Sequence, residues 1–203
     1  MSTTSITPFV PFRRVRCTGQ EVHDDGWAVL QFTPDQRFTA ICSGCQQPTK
    51  RVHSTYWRTI RDLNLGEHRV CLELQQRRLR CERCQGTRSE AHEFVEISAR
   101  VTKRMAQYIA ELCRILSVQE VAKHLGLDWK LVKRCDQEAL EREFPGTDTR
   151  GLRLLAVDEI AVKKGHQYLT VVLDYETGRV VWVGEGRKFE TLSAFFSLMT
   201  PQE

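Results

Sequence analysis

Two Cys-x-x-Cys units, Cys42-Ser-Gly-Cys45 and Cys81-Glu-Arg-Cys84, constrain this chain more than any other feature. Four thiolates suit tetrahedral zinc, and the two-residue spacing lets each pair wrap a metal in a tight knuckle. Gly44 helps the first knuckle to turn. The long interval between the pairs fits a zinc ribbon, in which the knuckles sit on separate hairpins and the intervening chain carries other structure. The other reading, two unrelated buried or redox pairs, lacks the βαβ pattern of a thioredoxin-like motif. Residues 1–11 have neither the basic start nor the apolar run of a secretory signal, and no apolar stretch nears the ~20 residues that span a bilayer. The chain is therefore expected in the cytoplasm, where thiols stay reduced. Of its eight cysteines, Cys17, Cys71, Cys113 and Cys135 stand alone or on apolar positions and read as small packing residues. His53, His68 and His92 read as solvated or core histidines, since four cysteines already complete a site.

Hydrophobic periodicity divides the 203 residues into three segments. Residues 12–97 carry strand-like runs, among them 27–33 and the alternation of Val70, Leu72 and Leu74. Over 98–145 the period turns helical. Val101, Met105, Ile109, Leu112 and Leu116 recur at three-to-four spacing, with Tyr108 and Cys113 on the same side, which predicts a helix over 102–116. Phe144-Pro145-Gly146 then breaks the pattern. In 150–203, runs at 152–162, 167–174 and 179–184, joined by turn residues at 163–166 and 175–178, predict a three-stranded antiparallel meander. A helix over 188–199 follows, with Phe189, Leu192, Phe195, Phe196 and Met199 on one face. The fold class expected is α+β.

Residues 118–135 carry the pattern of a helix-turn-helix. Ala122 is small where two helices approach, Gly126 stands where the turn needs a positive φ, and Val132 anchors the second helix. Val121, Leu125, Leu127 and Leu131 fill the interior; Ser117 with Glu120 forms a capping box, and Asp128 can cap the second helix. Trp129, Lys130, Lys133 and Arg134 then fall on or near the exposed face of the second helix, where long cations reach the phosphates or guanine edges of double-stranded DNA. A plain helical hairpin in a larger bundle is the alternative. The net charge of +4 is modest, but Lys and Arg cluster between Lys50 and Arg88. Such clustering suits a polyanion, although a solvated surface also explains it. Arg77, Arg78 and Arg80 make a second candidate DNA-contacting set.

The order of the parts carries a resemblance. After the ribbon cysteines and Arg61-Asp62-Leu63-Asn64-Leu65-Gly66, the run Arg77-Arg78-Leu79-Arg80 enters Cys81, and the Ser117-led helix-turn-helix follows. Leu155-Ala156-Val157-Asp158-Glu159-Ile160-Ala161, Gly165-His166-Gln167-Tyr168, Asp174 and Thr177-Gly178-Arg179 complete it. From about Cys17 onward the chain resembles the insertion-sequence transposases of the ISL3 type. The resemblance implies a DDE enzyme with an RNase H-like catalytic domain, whose carboxylates hold two divalent metals, usually Mg²⁺. It places the first aspartate on the first strand, here Asp158. A carboxylate inside an apolar strand is costly without a partner, and a metal is one; an ordinary strand-end carboxylate is the alternative. Asp174 precedes Tyr-Glu-Thr-Gly at a hairpin turn, where Asp serves local hydrogen bonding, and is not read as the second acid.

The layout implied is a zinc ribbon over 12–97, a helix-turn-helix domain over 98–145, and over 150–203 an incomplete RNase H-like α/β domain with its first three strands and first helix. The function expected is the DNA-binding portion of a truncated transposase, recognising terminal inverted repeats and unable by itself to catalyse transposition. Its expected partners are double-stranded DNA, with self-association or full-length transposase, and no membrane. Zinc is the expected structural ion. The rival is a zinc-dependent helix-turn-helix transcriptional regulator whose C-terminal strands form a dimerisation or ligand domain. An acid at strand centre with no obvious effector pocket favours the transposase.

Overall fold

Strict alternation along two strands builds the first core. In a computed structural model, which describes residues 9–163 and 167–199, Ala28, Leu30 and Phe32 of β2 (Trp27–Pro34) and Val70, Leu72 and Leu74 of β6 (Arg69–Cys81) point to one buried face. Period-two spacing allows a strand to bury every second side chain. β1 (Val15–Val22) pairs antiparallel with β2, β2 runs parallel to β6, and β5 (Val52–Arg61) lies antiparallel on the other edge of β6. Ile60, Val95 and the stacked rings of Phe12 and Phe94, 4.2 Å apart, complete this core. Two short strands, β3 (Ala40–Ile41) and β4 (Pro48–Thr49), make a hairpin, and β7 (Gly86–Ser89) pairs with the end of β6.

β6 changes its buried face along its length. Val70, Leu72, Leu74 and Gln76 are inward at one end, whereas Leu79 and Cys81 are inward at the other. The odd-numbered side chains at that end therefore face the ribbon interior, and Arg78 and Arg80 face solvent.

Three helices complete the Met1–Ala139 unit: α1 (Lys103–Cys113), α2 (Val118–Leu125) and the start of α3 (Trp129–Glu143). Met105, Ile109, Val121, Ala122, Leu125, Val132 and Cys135 form their shared core. α1 is shorter than the periodicity of 102–116 predicts. The Thr102 hydroxyl accepts from the Met105 amide at 3.2 Å and starts the helix, and the Ile115 and Leu116 amides close a turn on Leu112 after it. Val101 joins the core from a bridge to Arg61 ahead of the helix, and Tyr108 is exposed rather than on the buried side.

The Leu140–Glu203 unit is an antiparallel meander of β8 (Leu155–Lys163), β9 (Gln167–Asp174) and β10 (Val180–Glu185), with β9 central. Most of the turn expected at 163–166, Gly165-His166 included, lies outside the described residues. α4 (Phe189–Phe196) is shorter than 188–199 and less one-sided. Phe195 is buried against Trp182, ring centroids 5.7 Å apart, but Phe189 is 82% exposed and Phe196 half exposed. Among the described residues no helix is long and apolar enough to cross a membrane.

Candidate zinc centre and nucleic-acid interface

The two knuckles meet. The Sγ atoms of Cys42, Cys45, Cys81 and Cys84 all lie within 4.8 Å of one another, with Cys42–Cys84 at 3.8 Å and Cys45–Cys81 at 3.6 Å. A tetrahedron of Zn–S bonds near 2.3 Å has edges of about 3.8 Å, so the four sulfurs fit zinc. The local backbone explains how they meet. Gln46 and Gln85, each directly after the second cysteine of its pair, adopt left-handed φ of 56° and 50°. Two unlike stretches of chain thus make the same tight turn, at some cost for residues with a Cβ. Gly44 itself has no left-handed φ, so the turn does not require it. A Cβ there would sit 3.1 Å from Cys84 Sγ and 3.3 Å from Arg88 Nε, and the close approach is what favours glycine. The Cys84 amide donates to Cys81 Sγ at 3.4 Å and lowers that thiol to about 6, while the neighbouring Cys45 thiol and burial push Cys84 up to about 12. His92 is no ligand. It is buried beside Phe94, neither ring nitrogen has a partner among the described residues, and burial lowers its imidazole to about 4. Cys135 is buried in the helical core, and Cys17, Cys71 and Cys113 are half-buried.

Ribbon and helices are joined by the segment that begins with Arg61-Asp62-Leu63. Asp62 is wholly buried; it accepts from Thr102 Oγ1 at 2.6 Å and from Arg104 Nε at 2.8 Å, and Arg104 Nη2 closes the second contact of the fork. A paired guanidinium offsets the desolvation of that carboxylate, and Thr102 is also the cap of α1. Arg61 donates to the carbonyls of Asp62 and Val70, Leu63 packs on the helical core, and Arg58 donates to the carbonyls of Glu96, Ile97 and Ala99. The Asp62 and Arg58 contacts were not legible in the sequence, because their partners lie about forty residues apart.

At the far side of this joint stands the helix-turn-helix. The Ser117–Glu120 capping box is present in both directions, Gly126 has φ 64°, and Asp128 Oδ1 accepts from the Lys130 amide at 2.8 Å. Gly126 has a second role that the sequence did not announce. A Cβ there would meet Arg69 Cζ at 2.9 Å, and the Arg69 guanidinium lies over Trp27. With Leu131, Val132 and Cys135 turned inward, Trp129, Lys130, Lys133 and Arg134 are all exposed on α3. Lys130 Nζ lies 5.9 Å from the Trp129 ring, and Arg134 approaches Glu138 at 3.8 Å.

The arginine strand divides. Arg77 does not face solvent as expected: it is 14% exposed and grips the buried Glu90 carboxylate at 2.7 and 2.6 Å. Its parity with Leu79 and Cys81 turns it inward, and it serves the fold rather than a ligand. Arg78 and Arg80 are exposed, Arg78 over the Tyr56 ring.

Asp158 is exposed on β8, and its Oδ1 accepts the Glu159 amide at 2.8 Å. The burial cost inferred from its apolar neighbours is therefore absent, since Val157, Ile160 and Val162 around it are themselves about half exposed. Asp174 accepts from the Glu176 amide at 3.1 Å and Thr177 Oγ1 at 2.6 Å, the local turn role read from its sequence. Apart from the cysteines, no three potential metal-ligand side chains converge among the described residues. The residues present do not by themselves fit a two-metal Mg²⁺ site.

Comparison with known proteins agrees with these three parts in order. Residues 39–84 match the family model described as the zinc-finger of transposase IS204/IS1001/IS1096/IS1165. Residues 90–139 match the helix-turn-helix domain of transposase family ISL3, and residues 155–203 match the transposase domain model of that family. The chain is 40% identical over 161 residues to the transposase for insertion sequence element IS1001 of Bordetella parapertussis, covering 79% of this chain and 40% of that protein. It is 30% identical over 144 residues to the transposase for insertion sequence element IS1557 of Mycobacterium tuberculosis, covering 68% of this chain and 31% of the relative. It thus spans well under half the length of either relative. No solved structure matches. Ribbon, helix-turn-helix and the β8 strand all match models of one family in a single order, and the chain belongs to the ISL3 family of insertion-sequence transposases.

Proposed function

We propose that these residues are the DNA-binding portion of an insertion-sequence transposase, with α3 reading the terminal inverted repeats of its element. The observation that carries this reading is the exposed face of α3. A capped α2, a left-handed Gly126 and an Asp128 cap hold Trp129, Lys130, Lys133 and Arg134 together on one side of a packed helix. A helix presented in this way fits the major groove, with cations for phosphates and guanine edges. Four cysteine sulfurs leave no open coordination position, so the ribbon holds a structural Zn²⁺. Asp158 is the residue that would contribute to a Mg²⁺ site in a longer enzyme, and these 203 residues bind DNA without cutting it.

A gel-shift series across salt tests the central part. Lys133→Ala and Arg134→Ala should each weaken binding, and a lost phosphate contact lowers the slope of log affinity against log salt by about one. Unchanged affinity in both variants would remove α3 from the interface. Incubation of end-repeat duplex with Mg²⁺ or Mn²⁺ tests the rest: cleavage that vanishes in Asp158→Ala would refute the inactivity of this chain.

A further inference from the structure

We infer that the tip of the zinc ribbon is a second DNA-contact site, a basic cleft that holds backbone phosphates about one helical turn from the bases read by α3. The inference rests on the reading that α3 binds duplex DNA, and it adds a separate surface to it. Between β4 and the end of β6 lies a cleft of about 330 Å³ lined by Thr49, Lys50, Arg51, Arg80, Glu82 and Arg83, with the zinc-knuckle residue Cys81 in its wall. Four cations face one acid. Glu82 pairs with Arg51 at 3.0 Å, whereas Lys50, Arg80 and Arg83 have no carboxylate partner among the described residues. Unneutralised cations crowded into one concavity repel each other, and a polyanion relieves that repulsion while shedding its own counterions.

The cleft is built into the fold. The Arg80 amide donates to the Arg51 carbonyl at 2.9 Å and ties the start of β5 to β6, while the paired cysteines fix its wall. Strand parity turns Arg78 outward on the same side of β6 as Arg80, so a fourth exposed arginine stands two residues from the cleft. The spacing suits a single duplex. β6 has 13 residues, beginning at Arg69 beside the Gly126 turn and ending at Cys81. At about 3.3 Å per residue the strand is about 40 Å long, near the ~34–36 Å of one DNA turn. The buried Asp62–Arg104 joint holds strand and helices in one unit, so both sites move together.

The experiment uses the full chain carrying Lys50→Gln, Arg80→Gln and Arg83→Gln together, with zinc content as the check on folding. On end-repeat duplex the expected slope of log affinity against log salt is shallower by about two to three, at about 0.9 per lost phosphate contact. Hydroxyl-radical footprinting should show protection lost about ten base pairs from the α3 bases. The preference for the repeat over shuffled DNA should persist. Should the triple variant lose its zinc, the exposed single changes Lys50→Gln and Arg83→Gln serve instead, each with about 0.9 of slope expected. An unchanged slope and footprint overturn the cleft. Lys133→Ala/Arg134→Ala protein, run in parallel, separates the two readings. If that protein fails while the cleft variant binds normally, the cleft falls and α3 stands. The reverse result removes α3 and keeps the cleft.

Discussion

Gly126→Ala should destabilise the Met1–Ala139 unit by about 2 kcal/mol, from two causes that can be separated. The first is the backbone. At φ 64° an L-residue costs roughly 1–2 kcal/mol that glycine does not. The second is contact. The new Cβ would lie 2.9 Å from Arg69 Cζ and 3.1 Å from both terminal nitrogens. That guanidinium ends a flexible side chain, so it moves aside rather than deforming the turn. In moving it gives up its place 5.7 Å from the Trp27 ring, a cation–π contact of about 0.5–1 kcal/mol at an exposed site. Urea unfolding of the zinc-loaded protein measures the total as a shifted midpoint at constant slope. A double-mutant cycle with Arg69→Ala isolates the second cause: without the arginine, Gly126→Ala should cost only its backbone part. A total below about 0.5 kcal/mol would refute the strained turn. A full cost with no coupling would refute the arginine contact.

Other perturbations follow from single sites. Burial holds His92 near 4, below its ordinary value near 6.5, so the unfolded chain binds more protons between those values and stability falls as pH drops through that window. His92→Phe should flatten urea stability between pH 7 and pH 5 and remove two unpartnered buried nitrogens; a pH dependence as steep as before would locate it elsewhere. Gln85→Gly, at φ 50°, should raise stability by about 1 kcal/mol, and a loss would mean that the knuckle does not need the left-handed turn. Metal analysis should find one zinc per chain, lost in Cys81→Ser and released by acid as protons compete for the thiolates; unchanged unfolding in that variant would deny the ion its structural role.

What could be read from the residues depended on how local the cause was. The helix-turn-helix was legible because Ser117, Glu120, Gly126 and Asp128 act within four residues of themselves, and each does what its chemistry suggests. The four cysteines were legible because metal chemistry demands them, although the turns that deliver them use Gln46 and Gln85, where no glycine signals a positive φ. Arg77 misled for want of one anchor. Once Leu79 is known to be buried, parity sends Arg77 in and Arg78 and Arg80 out. The parallel pairing of β2 with β6 and the Asp62–Thr102–Arg104 joint depend on long-range closure and had no local mark. Asp158 lies on the first meander strand, as the apolar run around it implies, but the neighbours that suggest burial are themselves about half exposed.

The most direct test is the ratio of two affinities, measured by fluorescence anisotropy at one fixed salt concentration. One duplex carries the terminal repeat of the element that encodes this chain, and the other has the same base composition in shuffled order. A reading head built on α3 should prefer the repeat by about 10³ or more, and Lys133→Ala/Arg134→Ala should reduce that preference as well as the affinity. Equal binding to both duplexes, with a salt dependence that the α3 variants leave untouched, would contradict sequence recognition by this helix-turn-helix.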